Sequence, residues 1–213
     1  MYQYILFDLD GTLTDPGLGI TNSVMHALKK YNIMVEDRAS LYKFIGPPLT
    51  DSFETYYGFS EEESERAVSY YREYFSEKGL FENTIYPDIE QVLQTLKQQG
   101  KSLILATSKP EVYAKQILEH FHLDGYFDFI SGATMDKTRV KKQDIIAYAI
   151  EQCNLSELSK AIMIGDREHD IFGAKACQMA SLGVLYGYGS REELTAAGAD
   201  YLAQTPTDIL KFL

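Results

Sequence analysis

The stretch Tyr4-Ile5-Leu6-Phe7-Asp8-Leu9-Asp10-Gly11-Thr12-Leu13-Thr14 decides how the rest of the chain is read. Tyr4 to Phe7 is a short apolar run, the mark of a strand buried on both faces. It ends in two carboxylates, Asp8 and Asp10, followed at once by Gly11 and Thr12. Residues i and i+2 of extended backbone share a face, so the two acids point into one pocket. Gly11 lets the chain turn sharply behind them. Paired carboxylates at a strand end offer one group to attack or hold a metal and another to move protons. A surface Asp-x-Asp-Gly turn with no function reads the same in isolation, so the remaining sequence has to decide.

With 213 residues the chain forms one domain, or a core carrying a modest insertion, and is long enough to bury a sizeable core. Apolar residues at 45% and charged ones at 24% give the balance of a soluble globular protein. No apolar run approaches the roughly 18 residues that span a bilayer. The N-terminus has neither a basic start nor a cleavage site, so no signal peptide is expected. The two cysteines, Cys153 and Cys177, lack metal-ligand spacing and read as buried free thiols, which makes a cytoplasmic setting the expectation. A formal charge of -11 argues against a nucleic-acid partner, which is held largely by Lys and Arg. An anionic substrate would equally need local cations to overturn that field.

Two rhythms divide the chain. Residues 15–83 carry helical patterns and no convincing strand. Ile20, Val24, Ala27, Leu28 and Tyr31 mark one helix face, and Glu36–Phe44 and Leu49–Tyr57 two shorter helices. Ser60 with Glu63 forms a capping box that opens a helix from Glu61 to about Ser76. The aromatics of that helix, Tyr70, Tyr71, Tyr74 and Phe75, are read as internal packing. From Pro87 helices alternate with short apolar strands at Ser102–Thr107, Phe127–Ser131, Ala161–Gly165, Ser181–Tyr186 and Tyr201–Ala203. That alternation predicts an α/β fold, a parallel sheet covered by helices on both faces. In such sheets ligands bind beyond the carboxyl ends of the strands, which puts Asp8, Thr107 and Asp166 on one rim.

Each of these strand ends is polar. Thr107-Ser108-Lys109-Pro110 sets hydroxyls at the expected start of a helix, a ready anion site or a plain cap. Gly165-Asp166-Arg167-Glu168-His169-Asp170 puts two carboxylates one turn apart, which suits Mg²⁺ and its hard oxygen ligands. Arg139-Val140-Lys141-Lys142 supplies cations before a helix; one lysine turned inward would serve a phosphate, while the rest read as solvated surface. His169 receives no role.

Asp8-x-Asp10-Gly11-Thr12, Thr107 after an apolar strand, a lysine near 142, and Gly165-Asp166 with Asp170, in that order, resemble the four motifs of the haloacid dehalogenase superfamily. Gly46-Pro47-Pro48-Leu49 and Leu185-Tyr186-Gly187-Tyr188-Gly189 are similar to its phosphoglycolate phosphatase-like branch. The resemblance implies a Rossmann-like core of residues 1–14 and 84–213 with a helical cap at 15–83. It implies a cytoplasmic phosphatase that hydrolyses a small phosphorylated metabolite through an aspartyl-phosphate, with Mg²⁺ as cofactor and no nucleic-acid or membrane partner. Asp8 would be the nucleophile and Asp10 the acid and base. Asp8, Asp166, Asp170 and the Asp10 carbonyl would hold the metal. Gly11, Thr107, Ser108 and Lys142 would bind the phosphate, with Thr107 and Lys142 supporting catalysis. Two departures stand out: no proline follows the lysine, which leaves Lys141 open beside Lys142, and Ser108 replaces the usual asparagine. A phosphomutase of the same fold, a 5'-nucleotidase-type enzyme, and a non-catalytic binding protein remain alternatives, and the oligomeric state is not encoded legibly.

Overall fold

Tyr4–Phe7 forms β1, whose Ile5, Leu6 and Phe7 are fully buried, as a central strand of a two-faced sheet requires. The computed structural model describes residues 1–213, which fold as two units: Met1–Thr14 with Ile85–Leu213, and Asp15–Thr84. The chain leaves the first unit through a two-residue strand, β2 (Thr14–Asp15), and enters α1 (Gly17–Lys29). A 3-10 helix at Arg38–Phe44 follows, then α2 (Leu49–Tyr57) and α3 (Glu61–Tyr74). α2 stops where Gly58 takes the left-handed conformation, and α3 opens on the Ser60–Glu63 capping box. The helix expected to reach Ser76 becomes a π turn at Phe75–Gly79. There Gly79 packs so tightly on α1 that a Cβ would meet Ser23 Oγ and the Gly19 carbonyl. Tyr71 and Phe75 stack inside this unit at 5.2 Å, while Tyr70 meets Tyr31 and Tyr74 donates to Glu82. The aromatics therefore pack.

β3 (Thr84–Ile85) returns the chain and pairs with β2, a ribbon too short to show in the sequence pattern. Then α4 (Ile89–Gln98) buries Ile89, Val92, Leu93 and Leu96, the i, i+3, i+4, i+7 stripe of an amphipathic helix. β4 (Ser102–Pro110), α5 (Glu111–His120), β5 (Phe129–Ala133), α6 (Lys142–Gln152) and β6 (Ala161–Gly165) alternate after it. α7 (Glu168–Ala176), β7 (Ala180–Val184), α8 (Arg191–Ala197), β8 (Tyr201–Ala203) and a 3-10 turn at Pro206–Lys211 complete the unit.

Six of the strands form one parallel sheet in the order β5-β4-β1-β6-β7-β8. The expectation of an α/β protein with a parallel, helix-covered sheet is met. Two boundaries differ in ways that matter. β4 runs on to Pro110, which pairs with Ala133 after an irregularity beyond Thr107, so Thr107 and Ser108 do not sit at a helix start. α7, which the sequence pattern alone would start at Asp170, begins at Glu168, because the Asp170 carboxylate accepts the Arg167 N–H at 3.1 Å and caps the helix.

Candidate active site

Strand register brings the distant motifs together. β1 lies between β4 and β6, with Phe7 opposite both Leu105 and Ile164. The residues just past these positions emerge side by side at the carboxyl edge, and the Asp8 N–H donates to the Ile164 carbonyl at 2.9 Å.

Asp8, Asp166 and Asp170 are all buried, and each offers a carboxylate oxygen within 4.8 Å of the others. One ammonium faces them. Lys142 Nζ lies 2.9 Å from Asp8 Oδ1 and 2.8 Å from Asp170 Oδ1, and donates to the Ala106 carbonyl at 2.9 Å. Both contacts are buried ion pairs. Burial alone would lower the Lys142 pKa, but the charges of Asp170 and Asp8 outweigh it and raise it. The acids feel the opposite pressure. Burial, then the neighbouring Asp170 and Asp8, pushes Asp166 well above the carboxylate range. Asp170 is pushed up to about 6, by burial first and against the pull of Lys142. Three buried carboxylates with oxygens within 4.8 Å of one another, against one ammonium, make an oxygen donor set that fits a divalent cation of the hard, oxygen-seeking kind.

Asp10 shares the pocket but not the cluster. Its Oδ2 pairs with Lys109 Nζ at 2.7 Å, and both side chains are nearly buried. Burial raises its pKa, Lys109 pulls it down, Asp8 pushes it up again, and the net shift is upward. The Asp10 carboxylate is thus not among the three clustered acids. Lys109 escaped the sequence reading because nothing in Thr107-Ser108-Lys109-Pro110 tells an inward lysine from an outward one; its extended backbone in β4 decides.

The remaining candidates fall into place around this centre. Thr107 is buried, and its Oγ1 accepts the Lys109 N–H at 3.2 Å. Ser108 beside it is half-buried. Gly11 sits at φ +82 and donates its N–H to the Thr14 carbonyl at 2.8 Å, so that amide is committed to the turn. A side chain there would collide with the Asp166 carboxylate. Of the basic run, Lys142 turns inward and Lys141 outward. Arg139 pairs with Glu111 at 3.2 Å and lies over the Tyr148 ring. Asp166 is held from outside the four motifs by the Tyr188 N–H, which donates to its Oδ2 at 2.7 Å, and from within the first motif by Thr12, whose Oγ1 reaches its Oδ1 at 3.5 Å.

Among known proteins, residues 5–184 match the model of the haloacid dehalogenase-like hydrolase family. A 5'-nucleotidase of Pseudomonas aeruginosa is 46% identical over 195 residues, covering 92% of this chain and 88% of that protein. The tyrosine-protein kinase PtkA of Mycobacterium tuberculosis is 35% identical, covering 98% of this chain and 68% of that protein. Proteins named phosphoglycolate phosphatase match at 26% and 28% identity. The crystal structure of a predicted phosphatase from Clostridium acetobutylicum superposes with a TM-score of 0.96 at 52% identity, covering 100% of this chain and 98% of that one. No helix is long and apolar enough to cross a membrane. With the motif order, the sheet topology and the family match in agreement, the chain belongs to the haloacid dehalogenase-like hydrolase family.

Proposed function

We propose that this hydrolase is a phosphatase that cleaves a small phosphate monoester through an aspartyl-phosphate on Asp8. The observation that carries the reading is the group of three buried carboxylates at the head of β1, two of them paired with Lys142. Asp8, Asp166, Asp170 and the Asp10 carbonyl would hold Mg²⁺, which would supply the charge neutralisation an approaching phosphate dianion needs. Without such neutralisation two like charges ~4 Å apart repel by about 4 kcal/mol at an effective dielectric near 20. That is on the order of a thousandfold in rate.

The protein's own residues do the rest. An Asp8 carboxylate oxygen attacks phosphorus as the bond to the leaving oxygen breaks. Asp10 gives its proton to that oxygen, which its upward pKa shift favours. Asp10, now ionised, takes a proton from the water that attacks the aspartyl-phosphate, releasing inorganic phosphate and restoring Asp8. Lys109, paired with Asp10, limits the shift so that one group serves both steps. Lys142 orients Asp8, and Thr107 and Ser108 offer hydroxyls to the phosphate oxygens.

The substrate is a small phosphorylated metabolite. The 46% identity to a 5'-nucleotidase supports a nucleoside monophosphate ahead of phosphoglycolate, whose named phosphatases are more distant. The test is release of inorganic phosphate from p-nitrophenyl phosphate, nucleoside monophosphates and phosphoglycolate, with Mg²⁺ and with EDTA. Hexose 1-phosphate is included to detect isomerisation, and ATP with a tyrosine peptide to detect transfer. Asp8→Asn is expected to stay folded and lose all turnover. Retained hydrolysis in that variant, or wild-type hydrolysis unaffected by EDTA, refutes the proposal.

A further inference from the structure

The loop after β7, Leu185–Gly189, begins where the family match ends at residue 184, and the chemistry proposed above gives it no part. Yet it closes on Asp166 along its length. The Tyr188 N–H donates to Asp166 Oδ2 at 2.7 Å. A Cβ on Gly187 would lie 2.6 Å from that same oxygen and overlap the Gly11 carbonyl. One on Gly189 would overlap the Asp166 backbone carbonyl. Gly11, from the loop after β1, meets the same carboxylate, where a Cβ would again overlap Oδ2. The backbones of three glycines from two loops therefore enclose one buried acid, at separations no side chain permits.

Tyr186 ties those two loops to each other. Its hydroxyl donates to the Thr12 carbonyl at 2.9 Å, and its ring meets Tyr86 edge-on with centroids 5.0 Å apart. Burial, reinforced by the Asp166 charge, keeps the phenol protonated and so a donor throughout the physiological range. A carboxylate enclosed this closely cannot swing, and one that cannot swing presents the same oxygens to an ion on every visit. Groups that orient metal ligands in this way are worth about 10- to 100-fold in metal affinity.

We propose that the Leu185–Gly189 loop sets the affinity of the acidic pocket for a divalent cation by immobilising the Asp166 carboxylate, with Tyr186 as the positioning residue that anchors it to the Thr12 carbonyl. This rests on the metal-dependent reading given above. The test is Mg²⁺ binding by calorimetry, without substrate, to the full chain and to Tyr186→Phe and Gly187→Ala, with melting of the metal-free proteins measured in parallel. Tyr186→Phe is expected to raise the Kd about tenfold and Gly187→Ala by about 10- to 100-fold. A purely structural role would lower the metal-free melting temperature and leave the Kd alone. Should Gly187→Ala fail to fold, Tyr186→Phe, which removes one oxygen, still decides. Wild-type binding with an unchanged Kd in Tyr186→Phe overturns the loop's role alone. A wild-type chain that takes up no Mg²⁺ overturns both the loop's role and the metal-dependent reading.

Discussion

Replacing Lys142 by Met removes the one ammonium that faces Asp8 and Asp170 while keeping an unbranched stem. The stem matters, because Lys142 lies so close to Gly173 that a Cβ there would come within 2.8 Å of its Cγ. Packing is therefore largely spared, and the loss is electrostatic: two ion pairs and the hydrogen bond to the Ala106 carbonyl. Stripping one partner from a buried pair costs about 3–5 kcal/mol, since the other charge stays buried. In a chain of this size each kcal/mol shifts the melting temperature by about 2–4 °C, giving a fall of roughly 6–20 °C for the metal-free variant at pH 7.5. The deficit should depend on pH. Asp170, already pushed up to about 6 in the wild type, rises further once Lys142 no longer pulls it down. At pH 5 it carries its proton and needs no counter-charge, so the deficit shrinks. Mg²⁺ should narrow it too, by supplying positive charge to the same carboxylates. The assay is thermal denaturation of both proteins in EDTA and in Mg²⁺ at pH 5 and 7.5. A metal-free loss below about 1 kcal/mol, or an equal loss at both pH values, refutes the electrostatic account of this cluster.

Two further outcomes are expected. Asp10→Asn should slow hydrolysis of alkyl phosphates far more than of aryl phosphates, whose leaving groups need little protonation; steady-state rates across a leaving-group series check this, and equal slowing removes Asp10 as the acid. Asp170 should make a falling contribution to the stability of the metal-free protein as pH rises from about 4 to about 6. In that window Asp170, at 3.8 unfolded and about 6 folded, has given up its proton in the unfolded chain but still holds it in the native one. That fall amounts to about 3 kcal/mol, by the free energy of a two-unit difference. Chemical denaturation across pH 4–7 should show a correspondingly flatter curve for Asp170→Asn, and an unaltered slope sinks the assignment.

What the sequence disclosed follows from where information is local. β1 and β6 are apolar runs cut off by aspartates, and their bounds were read directly. The convergence of Asp8 and Asp166 followed from the rule for parallel sheets, since β1 and β6 are neighbours in register. β4 was read too short because Ser108, Lys109 and Pro110 are poor strand residues; pairing of Pro110 with Ala133 overrides their preference, and the inward turn of Lys109 went unseen with it. The choice between Lys141 and Lys142 likewise needed the burial of one and the exposure of the other. The glycines at 187 and 189 registered only as a likeness to other chains, because their reason is a through-space approach to Asp166.

The pairing of β2 with β3 has a consequence for how such a gene can change. The point where the polypeptide departs from the sheet and the point where it rejoins are adjacent rungs of one ribbon, with residues 16–83 strung between them. A splice at that ribbon need not disturb the strand order. Recombination could therefore swap the whole excursion for a foreign one, or for a tight turn, and leave the surrounding scaffold to be inherited unaltered.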